Sequence, residues 1–398
     1  MSNEIPILVS CGEASGDLYL SELLLELRRR LPALRAFGLG GERAKRAGTD
    51  LVVHLDEISV IGLVEVLRKL PALQRAMRLL LAEARALRPA AAILVDFSGF
   101  NLRLGKRLHA LGIPILYYVS PQVWAWRRGR LSTIREIVDQ MLVILPFEEA
   151  FYRDEGIEVR YVGHPLVDLV RSDLDRLSFC SGLGLKAERP IVMLLPGSRR
   201  SEVELHVPVL RRVVRLLGTR RPELQFIMSR APTVPPRVLL DALAEDVDRV
   251  RLLDRRPADG LIHATAAVVA SGTATIEAAL SGTPMVVVYR VGRLSYALGR
   301  SFVRVPHFSM VNLVAGREVV PELIQDAMTP EAIATQLTRI LDDGPARTEM
   351  MRGLDEVREK LGGGGASARA ADAVLTFLQS KGEKRVIMTS STPSKEFV

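Results

Sequence analysis

The sequence predicts an α/β protein made of two Rossmann-like domains whose parallel sheets face a central cleft. Three observations predict it. Short β-branched runs alternate with longer helical patterns along the chain. Most of those runs are continuously apolar, as expected of strands buried on both faces of a parallel sheet. Glycine-rich turns recur where the runs end, two in each half of the chain, and ligands in open α/β sheets bind at such ends. A length of 398 residues suits two domains.

Strand-like runs fall at 5–10, 92–95, 115–119, 141–145, 159–162, 191–195, 225–228, 268–270 and 285–289. Helical patterns lie between them, for example at 18–30, 203–217 and 274–281. In 61–90, six Lys/Arg stand against two Glu. Leu73, Met77, Leu80, Ala84 and Leu87 line one face there, which reads as a core-facing helix, and Pro71 is expected to split the segment in two. The neighbouring ISVIGLVEVL, 58–67, is apolar nearly all round and suits an interfacial membrane contact. RSDLDRLSFCSGLG loses apolar periodicity, so the domain boundary falls near 166–185. This gives a first domain over 1–167, completed by helices of 345–381, and a second over 168–344. After LGGGG a helix capped near Ser367 is expected, and 382–398 reads as a disordered tail.

Composition narrows the function classes. Hydrophobic content of 48% and charged content of 25% are ordinary for a globular protein. Cys11 and Cys180 are too few for a disulfide framework and suit a reducing compartment. The first residues lack the basic start and cleavage site of a signal peptide, and no apolar run reaches the ~18 residues of a membrane span. A net charge of +8 suits an anionic membrane or a phosphorylated substrate. Nucleic acid is not expected, because the aromatic residues are not interleaved with the basic ones as a stacking surface. The six histidines are scattered with no pair at ligand spacing, so no metal is expected. There is no GxSxG elbow and no GxxxxGK[ST] loop.

Four turns carry the candidate chemistry. LLPGSRRSE places Gly197 and Ser198 between a strand and a helix, with Arg199 and Arg200 as donors for phosphate oxygens. In the second, Ser271, Gly272 and Thr273 precede a helix that Ser271 or Thr273 could cap. Glu277 follows one turn later and is the one charged residue between His263 and Arg290. A diphosphate on the turn and a ribose diol on Glu277 would explain it, as against a carboxylate that merely favours the helix dipole. SCGEASGD offers Glu13, Ser15, Gly16 and Asp17, without the GxGxxG spacing of dinucleotide folds. VDFSGFN sets Asp96 directly after a strand, where a general base and a turn-forming Asp are equally well accommodated. His164 in VGHP is a cleft candidate near the boundary, with a backbone-satisfied hinge histidine as the favoured reading. The loop HFSMVNLVAGREVVPELIQ adds Asn312, Gly316, Arg317, Glu318 and Gln325.

Taken together, GEASGD, ISVIGLVEVL, DFSGFN, YYVSPQVWAWRRGR, LPFEEAFY, VGHPLVD, LLPGSRRSEV, ASGTATIEAAL and NLVAGREVVPELIQ resemble, in order, the lipid-A-disaccharide synthase family over roughly residues 5–380. The resemblance implies a GT-B fold and an inverting glycosyltransferase without metal or other cofactor. It implies transfer of 2,3-diacylglucosamine from UDP-2,3-diacylglucosamine to the 6-hydroxyl of 2,3-diacylglucosamine 1-phosphate, giving a β-1,6 disaccharide 1-phosphate and UDP. The setting it implies is the cytoplasmic face of the inner membrane of Gram-negative bacteria, with the enzyme peripherally bound and open to homodimerisation through a C-terminal arm. Matched by position, the family's base falls on Asp96, its essential arginine on Arg199 and its asparagine on Asn312. Its UDP-sugar subsite falls on Gly197 to Arg199, Ser271 to Thr273, Glu277, Gly316 to Glu318 and Gln325, with Glu277 as the ribose ligand. The family's membrane contact falls on Val60, Ile61, Leu63, Val64, Val66 and Leu67. Position 14 is Ala where a hydroxyl residue is common, and the tail after 381 has no counterpart. The alternative is another UDP-N-acetylglucosamine enzyme of the same fold, such as a 2-epimerase; the apolar 58–67 patch argues for a lipid substrate instead.

Overall fold

The computed structural model describes residues 4–58, 63–125, 128–292, 296 and 306–390, and for 63–69 and 382–390 it describes the backbone alone. Thirteen strands form two sheets among these residues. The first holds β1 (Ile5–Cys11), β2 (Leu34–Gly40), β3 (Asp50–His54), β4 (Ala91–Val95), β5 (Ile115–Tyr118), β6 (Gln140–Val143) and β7 (Val159–Tyr161). The second holds β8 (Ile191–Leu195), β9 (Gln225–Ser229), β10 (Arg251–Leu253), β11 (Ala266–Ala270), β12 (Met285–Tyr289) and β13 (Glu322–Ile324). Every pairing is parallel. β1, β4, β8 and β11 are buried on both faces in nearly every residue, which their unbroken apolar sequence requires.

The orders are β3-β2-β1-β4-β5-β6-β7 and β10-β9-β8-β11-β12-β13. Each sheet therefore reverses direction once, between β1 and β4 and between β8 and β11. A crevice opens outside the strand ends at such a switch point. The four glycine-rich turns read from the sequence follow these four strands. Register sets them side by side: Cys11 lies opposite Val95, and Leu195 opposite Val269.

Four strands were not anticipated. β3, β10 and β13 are sheet edges, short and partly polar, and β2 is broken by Arg35, Gly38 and Gly40. The segment expected to split at Pro71 is one helix, Leu63–Leu87, with Pro71 inside it. Burial of Met77, Leu80, Leu81 and Ala84 anchors the stretch beyond the proline, so one lost backbone bond does not end the helix.

The chain crosses between the domains twice. At the second crossing the helix Pro345–Lys360 packs against helices of the second domain, not the first as expected, and only the helix Ala366–Ser390 returns to lie on Ala14–Arg30. Arg30 donates to the Ala368 carbonyl at 3.3 Å and pairs with Asp372. The returning helix is capped by Asp168 of the first crossing, not by Ser367: the Asp168 carboxylate accepts from the Gly365 N–H at 2.9 and 2.8 Å and from the Ala366 N–H at 3.3 Å. It runs on through 382–390, where a disordered tail was expected; KGEKRVIMTS holds no helix breaker after Gly382, and the first proline is Pro393.

Candidate active site

The turn after β4 is strained. Asp96 and Phe97 both have positive φ, 44° and 46°, which non-glycine residues adopt at a cost of about 1–3 kcal/mol each. Two side chains hold them there. The Tyr117 hydroxyl donates to the Asp96 carbonyl at 2.5 Å and the Asn101 amide donates to it at 3.0 Å. Asn101, fully buried, also donates to Val95 and Ser10 carbonyls and accepts from the Ser10 hydroxyl at 2.6 Å. Gly12 of the β1 turn lies under the Phe97 ring; a Cβ there would come within 2.0 Å of it. The Asp96 backbone is thereby fixed at the end of β4. Burial, then the nearby Glu13 charge, raise its carboxyl from the ordinary aspartate range to about 7, while Arg199 acts the other way.

Behind this turn, the buried Glu148 accepts from the Ser120 hydroxyl at 2.6 Å, the Trp124 indole at 3.1 Å and the Leu145 N–H at 3.0 Å. It ties the segment after β5 to the helix Pro146–Asp154. Tyr117, Asn101, Gly12 and Glu148 were not among the residues singled out from sequence.

The other switch point holds two unlike turns. At 198–199 the backbone donors are already taken. Glu202 folds back to accept from the Ser198 N–H at 2.9 Å and the Arg199 N–H at 3.2 Å. Gly197, at φ 119°, is required because a Cβ would meet the Glu202 carboxylate at 2.4 Å. Ser198 and Arg199 thus do not offer their N–H groups to an anion; the turn presents the Arg199 guanidinium instead. Arg200 pairs with Glu204 at 2.7 Å. At 271–273 the opposite holds. Gly272 has φ 143° with open space where a Cβ would stand. The helix Thr273–Leu280 has no side-chain cap, since the Ser271 hydroxyl donates to the Phe308 carbonyl at 2.7 Å. Its first N–H groups and positive dipole end face the opening, which suits an anion. Glu277 stands one turn further on. Among the described residues no hydrogen-bond donor engages its carboxylate, and burial raises it to about 7.

The two switch points meet. The Arg199 guanidinium lies 3.1 Å from Glu13, across the cleft, and 3.1 Å from Glu202 in its own domain. His206, fully buried, supports the Arg199 turn: Nδ1 donates to the Pro196 carbonyl at 2.7 Å, so Nε2 accepts from the Arg290 N–H at 2.9 Å. Burial lowers its pKa and keeps it neutral. A lone histidine among Val203, Val207 and Leu210 on an apolar helix face was the sequence signal for such a buried bridge.

Several expected ligands are committed to the fold. The Asp17 carboxylate accepts from the N–H groups of Gly41, Arg43 and Ala44, capping the helix Glu42–Arg46. Gly16 permits close packing, its virtual Cβ lying 3.3 Å from that of Cys11; Ser15 is half-buried on the first turn of Ala14–Arg30. His164 is buried and accepts from the Leu166 N–H at 3.2 Å, and burial lowers it to about 3. Asn312 is fully buried; its oxygen accepts from Val319 and Val320, and its amide donates to Val320 and Glu322. These bonds hold the loop. Gly316 ends a helix at φ 76°, and Arg317 pairs with Glu356 at 2.6 Å. Glu318 is exposed. With its amide oriented to match its neighbours, Gln325 donates to the Val291 carbonyl at 3.2 Å and accepts from the Val291 N–H at 3.0 Å. Of the apolar patch, Val60 and Ile61 lie outside the described residues, as do the side chains of Leu63, Val64, Val66 and Leu67. Among the described residues no cluster of three or more His, Cys, Asp or Glu could hold a metal ion.

The family profile described as Lipid-A-disaccharide synthetase matches residues 7–375. The chain belongs to the lipid-A-disaccharide synthase family. It is 45% identical over 378 residues to the lipid-A-disaccharide synthase of Myxococcus xanthus, covering 95% of this chain and 99% of that one. It is 42% identical over 376 residues to the synthase of Geobacter metallireducens, covering 94% and 98%. Among solved structures it resembles a UDP-N-acetylglucosamine 2-epimerase of Neisseria meningitidis bound to UDP-N-acetylglucosamine, with TM-score 0.65, 12% identity and 94% and 100% coverage. It also resembles the calicheamicin glycosyltransferase CalG4, with TM-score 0.59, 17% identity and 95% and 99% coverage. These two likenesses establish the GT-B fold, which synthases share with epimerases. The role in lipid A disaccharide synthesis rests on the family, so the epimerase alternative is set aside.

Proposed function

We propose that this lipid-A-disaccharide synthase joins UDP-2,3-diacylglucosamine to 2,3-diacylglucosamine 1-phosphate by direct inversion. The observation that carries the reading is the meeting of Asp96, Glu13 and Arg199 across the two switch points. Asp96 takes the proton from the acceptor 6-hydroxyl. That oxygen bonds to the donor anomeric carbon as the bond from this carbon to the diphosphate oxygen breaks, and UDP leaves. One base suffices, and its raised pKa matches the task near neutrality. Arg199 and the open N-terminus of Thr273–Leu280 neutralise the departing diphosphate, while Glu277 accepts from the ribose hydroxyls. The donor set therefore narrows to Arg199, Ser271 to Thr273 and Glu277.

The acyl chains put the reaction at an anionic bilayer surface, the cytoplasmic face of the inner membrane. The net charge of +8 and the apolar 58–67 stretch support this. Among the described residues no helix is long and apolar enough to cross a membrane. The reading includes a homodimer through the C-terminal segment, which sedimentation would register as a doubled mass.

The test is a product assay: protein with UDP-2,3-diacylglucosamine, with and without 2,3-diacylglucosamine 1-phosphate, in detergent and EDTA, read by mass spectrometry. Acceptor-dependent disaccharide 1-phosphate and UDP are expected. Conversion of plain UDP-N-acetylglucosamine to an isomer, without disaccharide, would overturn the reading.

A further inference from the structure

Arg199 is held by two carboxylates of unequal commitment. Glu202 is buried and accepts from the Ser198 N–H, the Arg199 N–H and the guanidinium Nη1. Its departure would strip two backbone donors of their partner. Glu13 comes from the opposite domain and is exposed. Among the described residues its side chain makes hydrogen bonds to Arg199 Nη2 alone, at 3.1 and 3.4 Å. An exposed ion pair is weak and screened by salt. A diphosphate carries more charge than a carboxylate and suits the guanidinium fork. If Arg199 receives the donor diphosphate, as proposed above, the carboxylate that yields is Glu13.

We propose that Glu13 exchanges partners during the reaction: it holds Arg199 while the donor site is empty, is released by the diphosphate, and then accepts from hydroxyl groups of the acceptor sugar beside Asp96. The strand register supports the second half. Cys11 and Val95 lie level at the ends of β1 and β4. Glu13 and Asp96 follow them by two residues and one, so both carboxylates border the same crevice. An acceptor whose 6-hydroxyl reaches Asp96 presents its ring hydroxyls to the neighbouring turn. Until the donor arrives, the Glu13–Arg199 bridge spans the cleft where that sugar has to lie. Donor before acceptor is the order this imposes.

The experiment compares wild-type protein with Glu13→Gln, measuring UDP affinity by calorimetry and steady-state kinetics with both substrates. Glu13→Gln is expected to bind UDP about twofold to fivefold more tightly, because no carboxylate competes for the guanidinium. Its acceptor KM is expected to rise about tenfold or more, with the melting temperature nearly unchanged because the side chain is exposed. UDP affinity unchanged or weakened in Glu13→Gln overturns the exchange. Tighter UDP with an unchanged acceptor KM overturns the acceptor contact. A wild-type protein that does not bind UDP overturns the donor-site reading itself, and the exchange with it. Should Glu13→Gln distort the helix start, Glu13→Ala carries the same expectations.

Discussion

Single residues in the crevice separate chemistry from support. Asp96 is partly exposed yet its carboxyl is raised to about 7, chiefly by burial. The sign of its effect on stability follows. Below the ordinary aspartate value both folded and unfolded chains are protonated there, and the group is neutral in its effect. As pH rises toward 7 the unfolded chain ionises first, so folding loses free energy, and above 7 the penalty is complete. It amounts to about 4 kcal/mol at most, less what water reaching the cleft screens. Asp96→Asn should therefore abolish turnover, keep UDP binding and raise the melting temperature by several degrees at pH 8 but little at pH 4. Melts at both pH values check this; an active Asp96→Asn enzyme removes Asp96 from the base role. Wild-type turnover should rise through pH 7 as the base ionises. Asn312 gives the opposite result. Its four hydrogen bonds all go to the 319–322 loop and its flanks. Asn312→Ala leaves buried donors and acceptors unmatched, at about 1–3 kcal/mol each, so the melting temperature falls together with activity. Unchanged melting with lost UDP-sugar affinity would return Asn312 to the substrate.

At the scale of elements, the two phosphate-type turns look alike in sequence and differ in what their glycines do. Gly197 makes room for Glu202, while Gly272 opens onto empty space. Gly197→Ala drives a methyl into a buried carboxylate and displaces Arg199, so stability and turnover fall together. Gly272→Ala meets no atom. It costs only backbone strain, about 1–3 kcal/mol, but places a methyl over the open helix N-terminus, so UDP affinity should drop by more than the change in melting accounts for. Equal effects of both substitutions on UDP affinity would contradict the assignment of one filled and one open turn. This contrast also marks what was legible. Continuous apolar runs announced β1, β4, β8 and β11, and the glycine turns after them announced the switch points. Short polar edge strands carry no such run and were missed. A polar residue in a glycine-rich turn looks the same whether it meets a ligand or a backbone N–H, which is why Asp17 was read as a cleft residue, while Asn312 was carried over from the family by position. Tyr117 reaches Asp96, Asn101 reaches Ser10 and Glu148 reaches Ser120 and Trp124 across 21 to 91 residues of sequence, so no local pattern reveals these bonds.

The whole molecule works only if two sheets present their switch points to each other, and the chain secures this where it crosses between domains. Three side chains strap the crossings together. The Tyr161 hydroxyl donates to the Leu361 carbonyl at 2.8 Å, Asp168 caps the returning helix, and Arg369 donates to the carbonyls of Val162, Gly364 and Gly363 at 2.9, 2.7 and 3.2 Å. Arg369 thus joins both crossings with one guanidinium. The glycine-rich run before it has little stiffness of its own, with Gly362 and Gly365 at positive φ. Arg369→Met keeps most of the stem and removes the three bonds. The open turn, Arg199 and Glu277 all belong to the second sheet, so UDP affinity should be retained. Asp96 belongs to the first, so its aim at the donor depends on the straps. Misplacement of reacting groups by an ångström costs up to about a hundredfold in rate, and Arg369→Met is expected to lose about tenfold to a hundredfold in kcat. If kcat is unchanged while the melting temperature falls, the straps hold the domains together without setting their geometry.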